Sequence, residues 1–146
     1  MIAGRWLVDT NVLVYAYDRS QREKQKRAFH VLDRLAVSSR GVLSAQILSE
    51  FFVVVTRKIP DPLPVRDAVR SVENYLRAWS VLAVTPALIY EALRGSGDHR
   101  MPYWDALVWA TAKLNQIPVI LSEDFQDGRV LEGVQFINPF IRDLDF

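Results

Sequence analysis

The apolar positions of this chain fall in two rhythms: short unbroken runs of three or four residues, and longer stretches in which apolar side chains return every third or fourth position. Trp6, Leu7 and Val8 form the first run and end at Asp9, with Thr10 and Asn11 supplying turn or N-cap chemistry before the helical VLVYAYD. Ala28, Leu32, Leu35 and Ala36 make one stripe over 22–37, while Arg22, Glu23, Lys26, Arg27 and Arg34 fall elsewhere, as an amphipathic helix requires. Gly41, Val42 and Leu43 read as a brief buried strand. Ser44 is placed to cap a helix that reaches about Lys58, where Pro60 and Pro62 break the chain, and Ile47, Phe51 and Val55 share one of its faces.

Pro64 opens a further helix, with Val65, Val69, Val72, Leu76 and Trp79 at helical spacing. Residues 81–84 read as a strand. Pro86 starts a helix to about Leu93, after which Gly95, Ser96 and Gly97 mark a flexible loop. Pro102 begins a strongly apolar helix to Asn115, and Val119–Leu121 and Val134–Ile137 are β-rich runs, the last closed by Asn138 and Pro139. Short apolar strands alternating with helices predict an α/β fold, a three-layer α/β/α sandwich around a short, mainly parallel central sheet. Such sheets bind ligands beyond the carboxyl ends of their strands, which is where Asp9 and Asp124 fall.

Composition narrows the chemistry. At 146 residues, half of them apolar, the chain is expected to form a single domain over 1–146 with a real core. It has no cysteine, which excludes a disulfide framework, thiolate metal ligation and cysteine nucleophiles. No apolar run approaches the ~20 residues of a membrane span, and Asp9 interrupts the start where a secretory signal would stay apolar, so a cytoplasmic protein with no membrane partner is expected. A net charge of +1 gives no global field toward a polyanion, leaving local patches or bound cations to attract nucleic acid.

Four acids, Asp9, Glu50, Asp105 and Asp124, each adjoin an apolar stretch. Each has a simpler use: Asp9 in a turn, Glu50 on a helix flank, Asp105 in the first turn of a helix where the dipole favours an anion, Asp124 in the polar loop SEDFQDG. Glu123 or Asp127 could replace Asp124 in any role. If the four converge within about 5 Å, each ionised pair repels by roughly 3 kcal/mol at an effective dielectric near 20. A cation removes that cost, and hard oxygen ligands select Mg2+ or Mn2+ over softer metals. Carboxylate-held Mg2+ can present a water to a phosphodiester and neutralise the leaving oxygen without any histidine. The chain has two histidines: His30 in a charged helical stretch, and His99 in GSGDHR near the Asp105 helix.

The segments VDTNVLVYAYD, SAQILSEFFVVVTRK, YWDALVWATA and LSEDFQDGRV with VQFINPF resemble a PIN domain, specifically the VapC-type toxins of bacterial toxin–antitoxin pairs. The resemblance implies a Mg2+- or Mn2+-dependent endoribonuclease, with Asp9, Glu50, Asp105 and Asp124 as its acidic quartet and metal ligands. Asp9 and Asp105 would be the principal ligands, and Asn11 and Ser122 could orient the rest. It also implies a homodimer restrained by a cognate antitoxin. The RNA must lie on the exposed face, where Arg19, Arg22, Lys24, Lys26 and Arg27 form the densest basic segment. Trp104 and Tyr103 could stack a splayed base, whereas Trp6, Trp79 and Trp109 fall on core patterns. Two other functions fit the acids: a metal-dependent DNA nuclease, and a regulatory α/β domain with Asp9 as phosphoacceptor, although no facing lysine or paired acid is evident at 6–11.

Overall fold

The computed structural model describes residues 4–144. The short apolar runs are buried on both faces, as strands of a parallel sheet covered by helices must be. In chain order the elements are β1 (Trp6–Val8), α1 (Thr10–Tyr15), α2 (Arg22–Ser38), β2 (Gly41–Ser44), α3 (Ala45–Arg57), α4 (Val65–Ala78), β3 (Ser80–Leu82), α5 (Pro86–His99), α6 (Tyr103–Leu114), β4 (Val119–Leu121), β5 (Val130–Leu131) and β6 (Val134–Ile137). They form one sheet in the order β3-β2-β1-β4-β6-β5. Every neighbouring pair is parallel except β5 with β6.

From β1 the chain steps outward to β2 and β3, then crosses back past β1 to enter β4. Right-handed crossovers in opposite directions put α1 to α4 on one face and α5 with α6 on the other. The packing agrees: α1 touches α2 and α3, α3 touches α4, and α5 lies along α6. This is the three-layer α/β/α sandwich expected. The reversal between β1 and β4 opens a crevice at the carboxyl edge of the sheet, where loops from both strands meet.

Where the first helix begins differs slightly from expectation. Thr10 and Asn11 belong to α1, and Asp9 is its cap, accepting from the Thr10 amide. Ser44 caps α3 as expected, accepting from the Ile47 amide at 3.2 Å.

The Gly95-Ser96-Gly97 segment is not a flexible loop, because α5 runs through it to His99. A Cβ on Gly95 would lie 2.4 Å from Cζ3 of Trp109, so glycine is there to let α5 approach the buried tryptophan of α6. The ring is held from other sides too. Its Nε1 donates to the Leu131 carbonyl at 3.2 Å, and His99 meets it edge-on at 5.7 Å. His99 therefore does not reach the Asp9 end of the sheet; its Nε2 bonds Glu132 at 2.6 Å. That bond, with help from Arg94 and Lys113, holds the Glu132 carboxyl well below the usual carboxylate range.

Strand β5 was not expected. The Glu132-Gly133 turn joins it to β6 with positive φ at both residues, 48° and 86°, the geometry of a two-residue hairpin. The α4 stripe is helical but mostly faces solvent: Val65, Val69 and Leu76 are exposed, and only Ala68 is fully buried. Trp6 and Trp109 are interior as expected, whereas Trp79 is only partly buried against Gly41 and Tyr75. Among the described residues no helix is long and apolar enough to cross a membrane.

Candidate active site

Asp9 follows β1 directly and is buried beneath the start of α1. Both carboxylate oxygens are occupied: Oδ1 accepts from the Thr10 amide at 2.8 Å, and Oδ2 from the Ser122 hydroxyl at 2.7 Å. Ser122 comes from the loop after β4, so the sheet neighbours β1 and β4 close the contact. Burial pushes the Asp9 carboxyl up to about 7, against the pull of those two hydrogen bonds and with added repulsion from Asp124 and Asp105.

Asn11 ties the rest of that loop to Asp9. Its Nδ2 lies 3.4 Å from Asp9 Oδ2, 3.0 Å from Ser122 Oγ and 3.2 Å from Asp124 Oδ2, and its Oδ1 accepts from the Glu123 amide. Asp124 is thus turned toward Asp9. The two neighbouring acids are committed elsewhere. Glu123 accepts from Tyr15 at 2.6 Å and pairs with Lys24 at 2.9 Å, while Asp127 caps the Asn138 amide and pairs with Arg142. Clamping Glu123 from α1 and α2 fixes the chain on either side of it, Ser122 and Asp124 included.

Glu50 lies half-buried on α3 and accepts from the Thr10 hydroxyl at 3.1 Å and from Gln46 at 3.2 Å. Gln46, one turn earlier, also donates to the Trp104 carbonyl, and its buried Oε1 is left without a partner. Asp105 is in the first turn of α6, whose cap position is Pro102, with no side chain capping the helix. Partial burial raises the Asp105 carboxyl, followed by repulsion from Asp124 and Glu50. Repulsion thus links Asp9 with Asp105 and Asp124, and Asp105 with Asp124 and Glu50.

Among the described residues no lysine or arginine pairs with any of the four. Nor are three of them gathered into a closed ligand cluster. Instead Asp9, Glu50 and Asp124 each accept from a neutral hydroxyl or amide. The donor set, carboxylates plus a free amide oxygen at Gln46, is all hard oxygen and suits Mg2+ or Mn2+.

Of the four acids, Glu50 and Asp124 line a groove of about 910 Å³, together with Thr10, Asn11, Tyr15 and Trp104, while Asp9 and Asp105 lie outside its lining. Of the basic segment, Lys24 and Arg27 are tied into the fold, Arg27 through the Pro139 and Arg142 carbonyls and Asp143, while Arg19, Arg22 and Lys26 are exposed. Tyr103 is half-buried against the core and Trp104 is exposed. Gln46 and Tyr15 were not singled out from sequence; the i−4 spacing of Gln46 from Glu50 was the available signal for the first.

Replacing Asp105 by Asn is expected to raise the melting temperature of metal-free protein. The fold raises this carboxyl, so ionising it costs the folded state stability at every pH above the ordinary value near about 4. The gain should accordingly be small near about pH 4 and larger near about pH 7 in calorimetric scans with chelator. A fall in melting temperature at neutral pH would make Asp105 a structural residue instead.

A family model described as the PIN domain matches residues 6–129. No curated protein matches the chain by sequence. Among solved structures, FitAB bound to an IR36 DNA fragment is 18% identical with TM-score 0.69, over 97% of this chain and 99% of that one. VapBC from Salmonella typhimurium, bound to DNA, is 13% identical with TM-score 0.66, over 92% and 97%. The sarcin–ricin-loop-cleaving toxin VapC20 of Mycobacterium tuberculosis is 20% identical with TM-score 0.62, over 79% and 86%. At these identities the likeness to the solved structures is one of fold.

Proposed function

The chain belongs to the PIN domain family, and on that premise we propose that it is a Mg2+- or Mn2+-dependent endoribonuclease, the toxin of a toxin–antitoxin pair. The observation that carries the proposal is the buried Asp9, joined through Asn11 and Ser122 to Asp124 and repelled by Asp105, which in turn is repelled by Glu50. Asp9 and Asp105 would be the principal ligands of the cation, with Glu50 and Asp124 completing the set. When bound, such a cation supplies an activated water and neutralises charge on the phosphate and leaving oxygen.

The protein's own side chains do the positioning. Ser122 and the Thr10 amide fix the Asp9 carboxylate, Asn11 aims Asp124, and Gln46 with Thr10 aims Glu50. An RNA strand lies along the groove with its scissile phosphate at the acids. Solved neighbours named as toxins and toxin–antitoxin complexes support a cognate antitoxin as partner. A homodimer acting in the cytoplasm completes the proposal.

The test is incubation of purified protein with RNA and DNA of identical sequence, in Mg2+, in Mn2+ and in EDTA. RNA should be cut only with metal present. Cleavage that persists in EDTA would overturn the metal-dependent mechanism, equal cutting of DNA would move the substrate class, and a stable covalent label from acetyl phosphate would make Asp9 a phosphoacceptor.

A further inference from the structure

We infer that Trp104, Val53 and Val84 form a seat for an unstacked nucleobase beside Glu50 and Asp124, with Lys58 taking a phosphate further along the strand. The inference rests on the nuclease proposed above. Trp104 immediately precedes Asp105, yet it is 62% exposed, while Val53 and Val84 on the same groove are 44% and 37% exposed. Trp6 and Trp109, by contrast, are fully buried. Leaving a flat apolar wall in water beside a charged pocket forgoes burial energy, which a ligand with both apolar faces and anionic linkers recovers.

Helix α3 acts as a ruler for that ligand. Glu50 is at the acidic end of the groove, Val53 and Val54 lie one turn on, and Lys58 follows the last turn. At 1.5 Å per residue, Lys58 is roughly 12 Å from Glu50 along the axis. Among the described residues its ammonium has no ion pair or hydrogen bond, and no other lysine or arginine lines the groove. Acids, apolar wall and lysine thus succeed one another as a cation-held phosphate, a base and a later phosphate do along one strand. A paired helix keeps its base faces stacked inside and cannot offer one to Trp104. Tyr103 meets the indole edge-on at 5.1 Å, and Gln46 ties the Trp104 main-chain carbonyl to Glu50.

The experiment measures steady-state cleavage of a short unpaired RNA in Mg2+, alongside quenching of tryptophan fluorescence by the same RNA. Trp104→Ala should raise KM about ten- to a hundredfold, the range for one lost base stack, with the loss falling on KM rather than kcat. Trp104→Phe should recover most of it, and Lys58→Met should lower the salt dependence of binding by about one counterion. An unchanged KM in Trp104→Ala overturns the seat while leaving the nuclease proposal standing. If the wild type cuts no RNA, that proposal fails, and quenching that disappears in Trp104→Ala still supports the seat, whereas absent quenching overturns it. Unchanged KM together with a dimer that falls apart in sedimentation assigns the ring to a protein contact, and also overturns it.

Discussion

Asp9→Asn is expected to lower metal-dependent RNA cleavage by about a thousandfold, equivalent to roughly 4 kcal/mol of transition-state stabilisation. No other acid of the crevice is as buried, and its two oxygens are fixed by donors from two different elements. An amide in its place carries one oxygen and one NH2. The NH2 faces either the Thr10 amide or the Ser122 hydroxyl, so the variant loses both the charge and part of the alignment. Asp127→Asn provides the contrast: that carboxylate holds Asn138 and Arg142, away from the crevice, and its loss should change cleavage by no more than about threefold. Single-turnover cleavage of the two variants and the wild type, with melting curves to establish folding, decides the matter. An Asp9→Asn protein within tenfold of wild type would remove this residue from the mechanism.

Gly95→Ala is expected to destabilise the fold by roughly 1–3 kcal/mol, or about 3–10 °C in melting temperature. The sign is diagnostic. In an unencumbered helix, alanine would stabilise relative to glycine by about 1 kcal/mol. Here the new methyl meets the Trp109 ring, with contacts at 2.4 and 2.8 Å, and the ring cannot retreat from Leu131 and His99. Shrinking the tryptophan should relieve the clash, so Gly95→Ala should cost much less in a Trp109→Leu background, a non-additivity visible in a double-mutant cycle. A neutral or stabilising Gly95→Ala in the wild type would mean that α5 stands farther from α6.

The same glycine shows where sequence pattern stops being informative. Gly-Ser-Gly has the composition of a loop, and nothing local says that an indole fourteen residues on fills the space beside it. Asp9 was legible because an apolar run ending in Asp-Thr-Asn implies a strand end, a turn and a helix start whatever the fold. Glu50 and Asp105 were legible as acids among apolar neighbours, though their approach to one crevice depended on pairings between distant strands. The loop after β4 offered Asp124 as the fourth acid, with Glu123 and Asp127 as possible replacements. What separates them is tertiary: Tyr15 and Lys24 occupy one, Asn138 and Arg142 another. The β5–β6 hairpin escaped because its two-residue turn uses Glu132 at positive φ, where Asn or Gly is the usual signal. Exposure of the α4 stripe was equally hidden, since periodicity fixes a face but not what covers it.

The pairing of β1 with β4 also sets a clock. Ser122 and Asp9 are 113 residues apart, and the bond between them forms only when the late strand has docked beside the first. At 5–20 residues per second a ribosome needs on the order of 6–23 s to make that stretch. For all that time the nascent chain carries Asp9 with its Thr10 neighbour but without the Ser122 hydroxyl. The topology thus withholds the Ser122 contact of Asp9 until β4 has been made and paired with β1.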